Sequence, residues 1–317
     1  MRGFRLVKVL EYKLRDQMED KYDVVIIGGS YAGLSAAMTL GRAIRKVLVI
    51  DSGKPCNQQT PHSHNFLTQD GNTPAAITTV SKSQVMAYPT VEFMYDQVIL
   101  AGGEDNNFTV DTLGGQKINA KKLLFTTGVK DLLPAIKGFE QCWGISVIYC
   151  PYCHGYEYKG QPTGILGNGD AAFEFGRFIN HWTDKLTIFT NGKSMITEEQ
   201  QVQLVEMKIN IIEEPVQQLQ HLDGYLHALL LANGELCNLS ALYARIPFEQ
   251  HCKLPEELGC SLNEAGYLNV DEFNKTNVAG IYAAGDNSSM LRAVAGAVAN
   301  GSKAAAMINH EMIVQRA

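Results

Sequence analysis

A short apolar run, Tyr22-Asp-Val-Val-Ile-Ile27, gives way to a glycine turn, Gly28-Gly-Ser-Tyr-Ala-Gly33, and then to apolar positions at helical spacing through Leu34, Ala37, Met38 and Ala43. A second apolar run, Lys46 to Ile50, stops at Asp51. Short apolar runs bounded by turn residues predict buried strands, and the helical period between them predicts a helix, so the segment reads as a βαβ unit. The pattern recurs. Thr163-Gly-Ile-Leu166 predicts a strand, Gly167-Asn-Gly-Asp-Ala-Ala172 a second turn, Phe173 to Ile179 a helix, and Lys185 to Phe189 the next strand. Leu123-Leu-Phe-Thr-Thr-Gly128 ends another strand at a glycine, and Val278 to Asp286 reads as a strand delivering an acid beside Gly285. Arg292 to Ile308 predicts a helix of small residues, which can approach another backbone or a flat ligand closely.

Strands alternating with helices predict an α/β fold, and two mononucleotide-binding starts predict two Rossmann-like nucleotide-binding domains. The length, 317 residues, agrees with two domains at about 150 residues each. Residues 1–20 read as an extension with no assigned role.

Composition narrows the function. The net charge is −6, and no run of Lys and Arg is interleaved with aromatics, so nucleic acid is not an expected partner. No stretch approaches the roughly 18 apolar residues that predict a membrane span. Met1 to Glu19 alternates charged and apolar residues instead of forming a signal sequence, which predicts a cytoplasmic protein. There the scattered Cys56, Cys142, Cys237, Cys252 and Cys260 are expected to be free thiols.

Cys150-Pro-Tyr-Cys153 is the exception. Two cysteines at this spacing can close a small disulfide ring, and such pairs often make one sulfur a nucleophile near neutral pH. Taken alone the motif is also compatible with a glutaredoxin-like fold, haem attachment through His154, or zinc. His62 and His64 form a zinc pair only if a third ligand exists, and otherwise are polar loop residues.

The first turn places Gly28, Ser30 and Gly33 where a pyrophosphate must approach the backbone, with Asp51 about 20 positions on to hold ribose hydroxyls. The second turn, Gly167, Gly169 and Ala172, fits G-x-G-x-x-A. The position matching Asp51 is Thr190, followed by Asn191-Gly192. That stretch offers no acid for an NAD ribose and no arginine pair for an NADP 2′-phosphate, with Lys193 a weak substitute.

Gly28 to Gly33, Asp51, Thr126-Thr-Gly128, Cys150 to Cys153, Gly167 to Ala172 and Gly285-Asp286 together resemble the low-molecular-weight thioredoxin reductase family over nearly the whole chain after residue 20. The resemblance implies an FAD-binding domain in two segments, 21–130 and 246–317. It implies an inserted NAD(P)H-binding-like domain, 131–245, carrying the redox pair, and a homodimer. By resemblance the ADP half of FAD lies against Gly28, Ser30, Gly33 and Asp51, with Tyr31, Ala32, Gly53, Asn57, His64, Gly285 and Arg292 also on the FAD side. Gly128 and Asp286 are implied near its ribityl and pyrophosphate region. Cys153 is implied to face the flavin and Cys150 to attack the partner disulfide.

The chain departs from the family at informative places. His154 stands where an acid usually follows the second cysteine, and is assigned as an acid–base group beside Cys153. Thr190-Asn191-Gly192 replaces His-Arg-Arg, and Pro247 to His251 replaces Gly-His-Ser-Pro-Asn. Arg292 fits, but Ala293 follows it in place of Gln. Cys-Pro-Tyr-Cys-His-Gly-Tyr-Glu, Asp51-Ser-Gly and His62-Ser-His64-Asn-Phe-Leu are also similar to a branch that includes fungal dithiol oxidases.

The expected function is therefore an FAD-dependent thiol–disulfide oxidoreductase. Electrons pass between NAD(P)H, flavin, Cys150/Cys153 and a thioredoxin-like protein or a small dithiol or disulfide. The alternatives are a dithiol oxidase delivering electrons to oxygen, and a non-catalytic flavin-binding redox module. No metal is expected.

Overall fold

The computed structural model describes residues 21–315, so the extension at 1–20 lies outside the described residues. The chain forms two compact units. The first comprises the described residues up to Cys56, Ala75–Lys130 and the chain from Glu249 onward; the second comprises Asn57–Pro74 and Asp131–Phe248. Segment 57–74, placed by the sequence in the first unit, groups with the second. Two contacts explain this: a Cβ at Gly144 would come within 2.8 Å of Gln59 Nε2, and His64 stands against Glu157.

In the first unit the strands Val91–Tyr95, Val47–Asp51, Lys21–Ile27 and Lys117–Phe125 lie parallel in that order, with Ile281–Ala283 parallel to the last. An antiparallel meander, Val98–Glu104 and Asn107–Thr112, completes the sheet. Both faces are covered, which is why the first strands read as continuous apolar runs. Val24, Ile26, Val49 and Leu124 pack to one side, and Val25, Ile27, Leu48 and Ile50 to the other.

Register positions the site. Ile27 pairs with Ile50 and with Phe125, and Phe125 with Ala283. The loops beginning at Gly28, Ser52, Thr126 and Ala284 therefore leave one edge of the sheet together, at the carboxyl ends of parallel strands, where open α/β sheets bind ligands.

The strand expected over 278–286 is confined to Ile281–Ala283, because Gly280 and Gly285 take φ of +77° and +92°. The last helix is Val294–Val314, starting later and running further than the pattern of small residues suggested. It packs on the helix Tyr31–Arg42. Ser35 Oγ donates to Val298 O at 2.7 Å, and a Cβ at Gly301 would meet Ala32 O at 2.1 Å.

The second unit carries an all-parallel sheet in the order Asn210–Ile212, Leu186–Phe189, Thr163–Leu166, Ala241–Ala244, Val147–Ile148. The helix Gly169–Ile179 follows the central strand, and an antiparallel sheet of Val216–Leu222, Tyr225–Leu231 and Leu236–Asn238 accompanies it. Both units are Rossmann-like, and the second interrupts the first in sequence.

Candidate active site

The first glycine turn is closed by contact. Gly28 has φ +107°, and a Cβ there would sit 2.4 Å from Thr126 O; at Gly33 it would sit 2.0 Å from Gly28 O. Thr126 Oγ1 donates to Gly28 O at 2.6 Å, tying the turn to the neighbouring strand end. Ser30 caps the helix with no side-chain hydrogen bond, and no acid lies in the first turn, so the buried Tyr31, Ala32 and Gly33 open a helix end suited to an anion.

Asp51 ends the adjacent strand, close enough that a Cβ on Gly29 would meet its own Cβ at 2.8 Å. Gly53 and Gly128, both at positive φ, have open space where a Cβ would stand, whereas Gly285 packs on Ala32. Asp286 Oδ2 lies 3.9 Å from Arg292 Nε and 3.9 Å from Cys56 Sγ. Two buried polar atoms at this edge, Thr127 Oγ1 and Asn287 Oδ1, have no hydrogen-bond partner among the described residues. A buried polar atom without a partner is costly, so these atoms, the open glycines and the uncapped helix fit a dinucleotide such as FAD along this edge. Asn57 and His64, expected on the FAD side, belong to the second unit.

In the second unit Val147–Ile148 delivers the chain to Cys150, which caps the short helix Pro151–His154. Proline suits the first helical position, where its missing N–H has no partner to lose. Both Cys153 N and His154 N donate to Cys150 O at 3.2 Å. Cys150 and Cys153 are each half-buried. A hydrogen bond from the Cys153 thiol, with further bonds from the Cys153 and Tyr152 amides, outweighs burial and brings Cys150 down to about 7. A large fraction of Cys150 is then thiolate at neutral pH, the form that attacks disulfides.

Burial brings His154 down to about 4, with Glu157 acting in the opposite direction and His64 adding to the fall. Its imidazole is neutral at pH 7. His64 meets it edge-on, with ring centroids 6.4 Å apart, and His62 lies 6.4 Å from His64. His64 Nδ1 is 3.6 Å from Asp70 Oδ1, and Nε2 is 3.5 Å from Glu157 Oε1. Among the described residues no group of three or more His, Cys, Asp or Glu is arranged to hold a metal ion.

The second glycine turn differs from the first. Asn168 caps the helix through its own side chain, accepting from Gly169 N at 2.8 Å and from Met195 N at 2.7 Å while donating to Lys193 O at 2.9 Å. Asp170 lies in the first turn, and Ala172 is buried beneath Gly167. Thr190 Oγ1 donates to Gly192 O in its own loop, and Asn191 Oδ1 accepts from Val216 N at the start of the strand Val216–Leu222.

A family model for pyridine nucleotide-disulphide oxidoreductases matches residues 22–301. The chain belongs to that family. The pyridine nucleotide-disulphide oxidoreductase is 28% identical to thioredoxin reductase sirT of Leptosphaeria maculans, over 92% of this chain and 94% of that one. Its fold matches an oxidoreductase from Agrobacterium tumefaciens at TM-score 0.88 and 33% identity, over 93% of this chain and 99% of the other. It also matches a thioredoxin reductase TrxB, described as putative, from Bacillus anthracis at TM-score 0.89 and 29% identity, over 93% and 100%. The oxidoreductase is thus a thioredoxin-reductase-like, FAD-dependent enzyme of disulfide chemistry.

Sequence reasoning gave no role to Glu157 and Asp70, which bracket His64. Their only signal was the acid ending Cys-Pro-Tyr-Cys-His-Gly-Tyr-Glu157 and an acid six residues past His64, a spacing that means nothing until the loop closes through Asp70 Oδ1 accepting from Asn65 N.

Proposed function

We propose that the enzyme carries electron pairs between a nicotinamide nucleotide and a disulfide substrate, with Cys150 as the sulfur that meets the substrate and Cys153 as the resolving sulfur. The observation that carries this reading is the acidified Cys150 thiol one helical turn from a second thiol, beside a neutral His154. The Cys150 thiolate attacks the substrate disulfide, forming a mixed disulfide and releasing one substrate thiolate. The departing substrate thiolate takes the Cys153 proton beside the neutral His154; the Cys153 thiolate then displaces the second substrate thiolate and closes the Cys150–Cys153 bond. Two electrons have moved from the pair to the substrate, and two protons complete the product thiols. FAD, when bound, supplies the two-electron carrier that restores the dithiol.

Gly28, Ser30, Gly33 and Asp51 would hold its ADP half, and Gly128, Asp286 and Arg292 the region beyond. The Gly167, Gly169 and Ala172 turn suits a nicotinamide nucleotide's pyrophosphate. Relatives named thioredoxin reductase support a thioredoxin-like partner. Tyr152 and Tyr156, 60% and 69% exposed beside the pair, offer apolar contact to a protein or a small disulfide. The family resemblance supports a homodimer. No helix among the described residues is long and apolar enough to cross a membrane.

The test is an anaerobic titration of the FAD-loaded protein with NADPH, then NADH, then dithiothreitol, following flavin absorbance. Bleaching by a nicotinamide nucleotide supports the proposal. Bleaching by the dithiol alone overturns the nucleotide as donor and makes electron flow run from dithiol to flavin.

A further inference from the structure

We propose that Tyr243 is a buried hydrogen-bond donor reserved for the Cys150 sulfur, engaged when that sulfur is an anion and Cys153 carries no thiol hydrogen. This rests on the reading of Cys150 and Cys153 as the redox pair. Tyr243 lies in the strand Ala241–Ala244, pairs in register with Ile148 just ahead of Cys150, and is 1% exposed. Its ring is fixed edge-on to Phe175 at 5.7 Å. Its hydroxyl has no hydrogen-bond partner among the described residues. Burying a hydroxyl without a partner is unfavourable, and phenylalanine would fill the same space without that cost. By contrast, the Tyr158 hydroxyl donates to Ile145 O at 3.0 Å.

The hydroxyl is aimed at the redox helix. A Cβ on Gly155, which ends that helix, would come within 2.8 Å of Tyr243 Oη. Burial raises the phenol, and the charges of Cys150, Glu157, Tyr158 and Cys153 raise it further, so it stays protonated and acts only by donating.

In the reduced pair Cys150 takes its hydrogen bond from the Cys153 thiol. That donor is absent when the Cys150–Cys153 bond is re-reduced. Two electrons returned to that bond break it and leave both sulfurs as thiolates, so Cys153 bears no hydrogen until a proton reaches it. Tyr243 feels the charges of Cys150, Cys153, Glu157 and Tyr158, and among these described groups the Tyr158 O–H is already spent on Ile145 O while that of Tyr243 is not.

The test isolates that state with Cys153→Ala and compares it with Cys153→Ala/Tyr243→Phe, both FAD-loaded. Cys150 thiolate is read by iodoacetamide alkylation against pH. The expected result is a midpoint about one pH unit higher without the hydroxyl, roughly a tenfold loss of thiolate on the acidic side, with no fall in thermal stability. Placing 3-fluorotyrosine at 243, which keeps the fold and strengthens the donor, should move the midpoint down. Unchanged midpoints overturn the proposal, as does a stability loss in Tyr243→Phe without a midpoint shift, which would assign the hydroxyl a structural role. Alkylation needs no turnover, so failure of the wild-type flavin to bleach would count against the proposed function and not against Tyr243.

Discussion

His64 Nε2 stands 3.5 Å from Glu157 Oε1, and the same imidazole meets His154 edge-on, so a carboxylate and a second histidine both act on the imidazole that follows Cys153. Burial dominates His154, Glu157 favours its charged form and His64 opposes it. Two substitutions should therefore move His154 in opposite directions. Glu157→Gln should lower its titration midpoint below about 4, and His64→Ala should raise it. Nuclear magnetic resonance of labelled imidazole reads both, and shifts of the same sign would show that the cluster does not act electrostatically on His154.

The depressed His154 also couples stability to pH. Its folded value is about 4 against 6.5 for an unperturbed histidine. Between those values the unfolded chain binds a proton that the folded chain does not, so this contribution to stability is intact above about pH 6.5, falls as pH drops towards 4, and is constant below. His154→Gln should flatten that part of the curve. Urea midpoints measured across the window check it, and an unchanged slope would mean that His154 is solvated in solution.

The two cysteines should separate binding from electron transfer. Cys153→Ser should leave the protein yellow, since the FAD-edge residues of the first unit are untouched, yet abolish flavin bleaching by dithiothreitol. Absorbance spectra before and after reductant decide it. Retained bleaching would remove the pair from the electron path.

Much of this was legible in the sequence because it is local. The glycine turns, the apolar strands around them and Cys150-Pro-Tyr-Cys153 each lie within a few consecutive residues whose spacing has a physical meaning. What escaped depends on contacts between distant segments. Residues 57–74 look like a loop of the first unit and group with the second, so His64 could not be matched to Glu157 or His154. Tyr243 reads as one more apolar strand position; only the structure shows that its hydroxyl is buried with no partner among the described residues. Lys122, 0% exposed, contradicts every expectation for lysine until Asp105 and Glu311 are seen around it.

That lysine leads to the last prediction. Lys122 Nζ donates to Glu311 Oε1 at 2.7 Å and to Asp105 Oδ1 at 2.6 Å, while Lys275 and Tyr282 donate to the other Glu311 oxygen. Burial alone would raise Glu311, but the bonds from Lys122, Lys275 and Tyr282 prevail and hold it near 2. Glu311 lies on Val294–Val314, the helix that also presses Gly301 onto Ala32 beside the first glycine turn. Glu311→Gln removes the charge opposite a fully buried ammonium. Asp105 still faces that ammonium, so the loss stays below the about 3–5 kcal/mol of an uncompensated buried charge. Urea unfolding at pH 7 should show a loss of about 1–3 kcal/mol, together with weaker retention of FAD. The sign with pH follows from the lowered value: Glu311 stabilises the fold fully above its ordinary value of 4.5, and that contribution is lost as pH falls through about 2. The deficit of Glu311→Gln should therefore shrink on acidification across that window. A constant deficit would assign the loss to packing at Glu311 and not to its charge.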